Sequence, residues 1–156
     1  MTKFLIITGT QNSGKTTTAG MVYHSLRHHA DDEDKVSLTD ANGKVLPIDH
    51  PLMENGKPMD FIANMEVKGK KVVIVSLGDY PQFLKTQIEI YLEEVDFFVC
   101  CLRTRDREGS TRRMLFTDYA DYPKEEFWIE YSEDETQKHA VKKKIASQIV
   151  TVIKEC

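Results

Sequence analysis

The stretch Ile6–Thr18, IITGTQNSGKTTT, constrains the fold more than any other: an apolar run breaks into a glycine-flanked loop and resumes as a threonine cluster. The preceding run KFLII (Lys3–Ile7) reads as a buried strand. KTTTAGMVYHSL (Lys15–Leu26) reads as a helix with Ala19, Val22 and Leu26 on one face. Between them Gly9, Gly14, Lys15 and Thr16 stand at the spacing G-x-x-x-x-G-K-[ST]. Gly9 is expected to let the chain leave its strand through dihedrals that side chains disfavour. From Asn12 through Ser13 to Thr16 the backbone N–H groups are expected to turn inward as an anion nest, with the positive end of the helix dipole added at Gly14. Lys15 then reaches the outer phosphates of a polyphosphate, and the Thr16 hydroxyl can ligate Mg²⁺. The plain alternative is a glycine turn with no ligand; strand, loop and helix in this order favour a bound nucleotide over it.

The segment 9–16 resembles the Walker A loop of P-loop nucleoside triphosphatases and kinases. The resemblance implies a three-layer α/β fold, a mostly parallel sheet flanked by helices, with Gly9 to Thr17 around the triphosphate. The overall layout is also similar to small ATP-binding P-loop proteins of bacteria and phages that share a hairpin, "S-x-G-D" and "C-R-T", a similarity that supplies no reaction.

At 156 residues the chain is expected to form one domain, residues 1–156. Its 29% charged and 40% hydrophobic residues suit a globular protein, and its net charge of −4 argues against a general nucleic-acid or anionic-membrane surface. No apolar run reaches membrane-spanning length, and the N-terminus lacks the layout of a signal peptide. Three cysteines show no paired spacing, and Cys100 and Cys101 sit inside an apolar run as small hydrophobes. A cytoplasmic location is therefore expected.

After the first helix, Asp31–Lys35 reads as a solvated acidic connection and Val36–Asp40 as a short strand. Ala41–Pro58 should be mostly loop, with Asn-Gly turn signals at Asn42 and Asn55. Phe61–Leu77 reads as a β-hairpin turning at a glycine. Helices are expected over Pro81–Val95, Glu108–Ala120 and Asp134–Glu155, and strands over Asp96–Leu102 and Glu126–Ser132. Alternating strands and helices give a parallel sheet covered by helices, interrupted by one hairpin.

In such sheets the ligand sits at the carboxyl ends of the strands. This points to Asp40, Ser76–Asp79, Arg103–Arg107, Tyr131 and Glu133. The hairpin leading to SLGDY resembles the small GTPases, in which a hairpin precedes an Asp-x-x-Gly segment; here Ser76 takes the place of that aspartate. Asp79, helped by Ser76, is expected to complete the metal shell begun by Thr16. The same family reads guanine with Asn-Lys-x-Asp, and CLRTRD here lacks the Asn and Lys, which favours ATP over GTP. Leu102–Arg113 holds arginines at 103, 105, 107, 112 and 113 against Asp106 and Glu108, a local charge of +3. Nucleotide and small-metabolite kinases carry an arginine-rich lid in a similar place. Arg103 and Arg105, nearest the strand end, are the candidates to stabilise a moving phosphoryl group; the other reading is a soluble loop.

Asp40 and Asp49 are lesser candidates for a base or acceptor contact. His24 and His28 read as surface histidines rather than a metal pair, and Lys138, Lys142, Lys143 and Lys144 as a solvent-facing helix side. The leading expectation is an ATP- and Mg²⁺-dependent phosphotransferase with Lys15, Asp79, Arg103 and Arg105 as its working residues and an unidentified acceptor. The alternatives are a nucleotide-dependent switch acting through a protein partner and, opposed by the net charge, a kinase acting on nucleic acid.

Overall fold

The computed structural model describes residues 1–10, 13–104, 108–130 and 132–155. In chain order these form β1 (Lys3–Thr8), α1 (Lys15–Leu26), β2 (Ser37–Asp40), β3 (Met53–Glu54), β4 (Lys57–Pro58), β5 (Phe61–Val67), β6 (Lys70–Val75), α2 (Pro81–Tyr91), β7 (Phe97–Leu102), α3 (Thr111–Asp118), β8 (Lys124–Trp128) and α4 (Glu135–Glu155).

Six strands make one sheet in the order β2-β5-β6-β7-β1-β8. β6, β7, β1 and β8 pair in parallel, whereas β5 runs antiparallel to both β2 and β6. Five strands therefore point one way and β5 alone is opposed. The carboxyl ends of those five and the amino end of β5 share one edge of the sheet. β7 stands between β1 and β6, so the hairpin strand is not the immediate neighbour of the glycine-loop strand.

The period-two alternation of strand side chains divides the core between the two faces. Leu5 and Ile7 pack with Ala19, Val22 and Leu26 of α1 and Ile145, Ile149 and Ile153 of α4. Phe4 and Ile6 pack with Leu84 and Ile88 of α2 and Leu115 of α3 on the other face. Helices thus cover both faces. β7 is buried along its whole length, Cys100 and Cys101 included, as a central strand covered on both sides must be. No described helix is long and apolar enough to cross a membrane.

Element bounds differ from the sequence expectation most at α2, α3 and β8. α2 ends at Tyr91 rather than Val95, just before Glu93 takes a φ of 66°. α3 begins at Thr111 rather than Glu108 because the Ser110 hydroxyl caps it, accepting from the Arg113 N–H at 3.0 Å. β8 spans Lys124–Trp128 rather than Glu126–Ser132, in register with Phe4–Thr8 of β1. As a half-buried edge strand it carries no continuous apolar run to mark it. Within the expected loop 41–58, the Asn55-Gly56 turn closes a two-residue hairpin of β3 and β4, with φ of 52° and 74° as a primed turn requires.

Candidate functional site

The loop after β1 closes against the start of α1, where Gly14 has φ 95° and no side chain among the described residues caps the helix. First-turn N–H groups are left for water or a ligand, as an anion site requires. The Ser13 hydroxyl is buried without a hydrogen-bond partner among the described residues, an orphan donor facing the same loop. Asn12 lies outside the described residues.

Gly9 differs from its expected role. It is not among the positive-φ residues; a Cβ there would instead meet the Ser13 Oγ at 2.3 Å. Glycine is needed for close approach within the loop, while the left-handed backbone falls on Gly14.

Lys15 bends back over the loop, its ammonium donating to the carbonyls of Thr10 at 2.8 Å and Gly9 at 3.2 Å. Burial holds its pKa below the ordinary lysine value, with Arg103 adding to that effect and Asp79 opposing it. A cavity of about 490 Å³ opens in front of it, bringing Gly14, Lys15, Thr16 and Thr17 together with Asp60, Ser76, Asp79 and Arg103.

Asp79 and Arg103 meet as a bidentate pair, Nε to Oδ1 at 2.8 Å and Nη2 to Oδ2 at 3.1 Å. Asp79 reaches this place although β7 separates its strand from β1, because the chain after β6 turns over the end of β7. Gly78 lies so close to that strand that a Cβ would sit 1.6 Å from the Cys101 carbonyl oxygen.

Asp60 is the site residue the sequence reading missed. It precedes β5, the one opposed strand, so its amino end lies where the other strands finish. A search of strand carboxyl ends passes it by; the hairpin itself is the signal that would have found it. Ser76, expected as a metal helper, donates to the Asp60 carboxylate at 3.1 Å and accepts from the Phe61 N–H at 2.8 Å. Burial raises the Asp60 pKa and the Asp79 charge adds to this, while the hydroxyls of Ser76 and Thr16 act the other way. Thr16, Asp60 and Asp79 form a hard-oxygen donor set around one cavity, which fits Mg²⁺, an ion that uses one or two carboxylates beside substrate phosphates. Among the described residues no group of three His, Cys, Asp or Glu side chains is placed to hold a metal.

The arginines separate. Arg103 faces the cavity; Arg105 and Arg107 lie outside the described residues. Arg112 is a buried pin. Its guanidinium donates to Glu126 at 2.6 Å, Thr8 at 3.1 Å and the Arg103 carbonyl at 3.0 Å, and lies over the rings of Phe116 and Trp128. Arg112→Ala leaves the Glu126 carboxylate with the Thr8 hydroxyl at 2.9 Å and frees the Arg103 carbonyl; the loss is expected to cost about 2 kcal/mol, lowering the thermal midpoint by roughly 4–8 °C, as differential scanning calorimetry would read.

Other candidates are placed elsewhere. Asp40 accepts from the N–H groups of Asn42 and Lys44 and so holds its own turn, while lining a neighbouring cavity of about 470 Å³ that shares Pro58 and Asp60 with the loop cavity. Asp49 lies by Tyr23, His24 contacts the Pro51 carbonyl, and Glu133 is exposed. Tyr131 lies outside the described residues. Lys142, expected on a solvent-facing side, lies across the loop instead, its Nζ 3.1 Å from where a Gly14 Cβ would stand.

The chain matches no protein-family model, no curated protein and no solved structure.

Proposed function

We propose that the chain is a P-loop nucleotide-binding protein that moves the γ-phosphoryl group of ATP to an acceptor with the help of Mg²⁺. The observation that carries this is the single cavity in which Lys15 and Thr16 of the glycine loop face Asp60, Asp79 and Arg103. Catalysis of phosphoryl transfer is mainly positioning and electrostatics, and these are the side chains it needs.

In this reading the N–H groups of residues 14–17 and the Ser13 hydroxyl bind phosphate oxygens. Lys15 exchanges the carbonyls of Gly9 and Thr10 for the outer phosphates. Thr16, Asp60 and Asp79 would hold Mg²⁺, which would supply positive charge against the phosphates. Arg103 leaves Asp79 for the phosphoryl oxygens, and Lys142 adds a further positive charge beside Gly14. The cavity joined at Asp60 has room for the acceptor. ATP rather than GTP is chosen because the guanine-reading Asn-Lys-x-Asp is absent.

The Asp79–Arg103 pair also favours a second reading, a nucleotide-dependent switch: ligand and metal must break that pair, which would release Asp79 after β6 and Arg103 at the end of β7. Phosphorus NMR of the protein with Mg²⁺ and ATP or GTP separates the two. A new phosphate ester formed only when pooled nucleosides or metabolites are added supports transfer; inorganic phosphate released without any acceptor supports the switch and overturns the kinase reading.

Asp60→Asn is expected to raise the Mg²⁺ concentration needed for half-maximal nucleotide binding about tenfold. It should not lower stability at neutral pH. The folded-state pKa of Asp60 is raised, so its ionised form costs the fold stability, a cost that appears as pH rises through that pKa. Magnesium titrations of nucleotide affinity, paired with thermal melts, would check both points.

A further inference from the structure

A cavity of about 760 Å³, larger than either of the two that join at Asp60, lies away from that site between α1 and α4. Its apolar part is Met21 of α1 with Ala146 and Val150 of α4, the last two only 5% and 6% exposed. The remaining wall carries three lysines, Lys68 from the β5–β6 turn and Lys143 and Lys154 from α4, beside the imidazoles of His24, His29 and His139. Among the described residues Glu155 is the one acid that lines it. Such a concentration of positive groups is unexpected in a chain of net charge −4.

The cations crowd most at one end. The Lys154 ammonium lies 3.5 Å from the His29 Nε2; desolvation, then the charges of Lys154, His28 and Lys68, hold the His29 pKa below the ordinary histidine value, so the imidazole is neutral beside the two lysines. Asp31 at the same end fixes the turn, its two carboxylate oxygens accepting from the backbone N–H groups of Lys68 at 2.8 Å and Gly69 at 2.7 Å. Lys68, Lys143, His29 and His139 are exposed and rim a recess that has an apolar wall, the composition of a small-molecule pocket.

The chemistry of the ligand follows from the donors. Lysine ammonium groups and the Ser147 and Thr151 hydroxyls suit the point-like negative charge of a phosphate. The planar fork that arginine offers a carboxylate is missing from the lining residues. The apolar wall requires more than a bare ion. We propose that the groove between α1 and α4 binds a small organic phosphate, its phosphoryl group among Lys68, His29 and Lys154 and its apolar body along Met21, Ala146 and Val150. This does not rest on the nucleotide reading of the glycine loop.

The test is a ¹H–¹⁵N NMR titration of the full chain with phenyl phosphate, inorganic phosphate and benzyl alcohol, each repeated on Lys68→Ala/Lys154→Ala. Phenyl phosphate is expected to give saturable shifts at residues 25–29 and 147–154. Binding should weaken at least tenfold in the double variant, and inorganic phosphate and benzyl alcohol should each bind at least tenfold more weakly. Unperturbed resonances elsewhere report that the variant is folded. Shifts confined to residues 13–17 would overturn the proposal, as would equal affinity of the double variant, or of inorganic phosphate, at the groove. None of these results alters the standing of the loop site, which the same spectra report separately.

Discussion

Lys15→Ala is expected to weaken binding of Mg²⁺–ATP at least a hundredfold while leaving the thermal midpoint nearly unchanged. In the proposed function the ammonium exchanges two backbone carbonyls, Gly9 and Thr10, for charged phosphate oxygens. A charge-assisted contact is about twice as strong as a neutral one, and about 3 kcal/mol lost corresponds to two orders of magnitude in affinity. The two carbonyl contacts contribute little to folding, because an intramolecular hydrogen bond is worth only about 1 kcal/mol net, and burial of the ammonium offsets part of that. Isothermal titration of ATP into the two proteins, with calorimetric melts alongside, reads both quantities. Equal affinity for wild type and variant would remove the loop from the binding site and end the P-loop reading.

What could be read from the residues follows how local each signal is. The strand, loop and helix from Lys3 to Leu26 are written in contiguous periodicity, and Ala19, Val22 and Leu26 all reach zero exposure. The β5–β6 hairpin was legible because Gly69 sits where a positive φ of 77° is needed. β8 was displaced in the reading because an edge strand alternates only weakly; its register is imposed by β1 across more than a hundred residues of chain.

The site divides in the same way. Lys15, Thr16 and Asp79 announce themselves by motif and strand end. Asp60 and Lys142 enter the cavity only through tertiary packing, one carried by the opposed strand and the other by a helix arriving from the far end of the chain. Arg112 shows the converse. In the sequence it is one of five arginines in a basic stretch, yet the sheet takes it as a structural partner for Glu126 and Thr8.

Gly78→Ala is expected to be the most damaging single-methyl change in this molecule. The added Cβ would fall 1.6 Å from the Cys101 carbonyl oxygen and 2.7 Å from its carbon. These are backbone atoms of a central strand paired on both sides, so neither can move aside as a flexible side chain would. The segment 76–79 must lift off β7 instead. It would take with it the Ser76 contacts to Phe61 and Asp60 and the Asp79–Arg103 pair. Overpacking of this kind costs about 3–4 kcal/mol, which for a chain of this length lowers the thermal midpoint by about 10 °C. Gly43→Ala separates this effect from ordinary glycine strain. Gly43 has a φ of 87° with no atom within 4 Å of its would-be Cβ, so the substitution should cost only about 1 kcal/mol of backbone conformation. If Gly78 is there to let the chain cross β7, its variant loses Mg²⁺-dependent nucleotide binding along with stability, and the Gly43 variant keeps both. A Gly78 variant that melts and binds like wild type would mean that Asp79 is not delivered to the loop across β7, and the carboxylate pair proposed for the metal would fall with it.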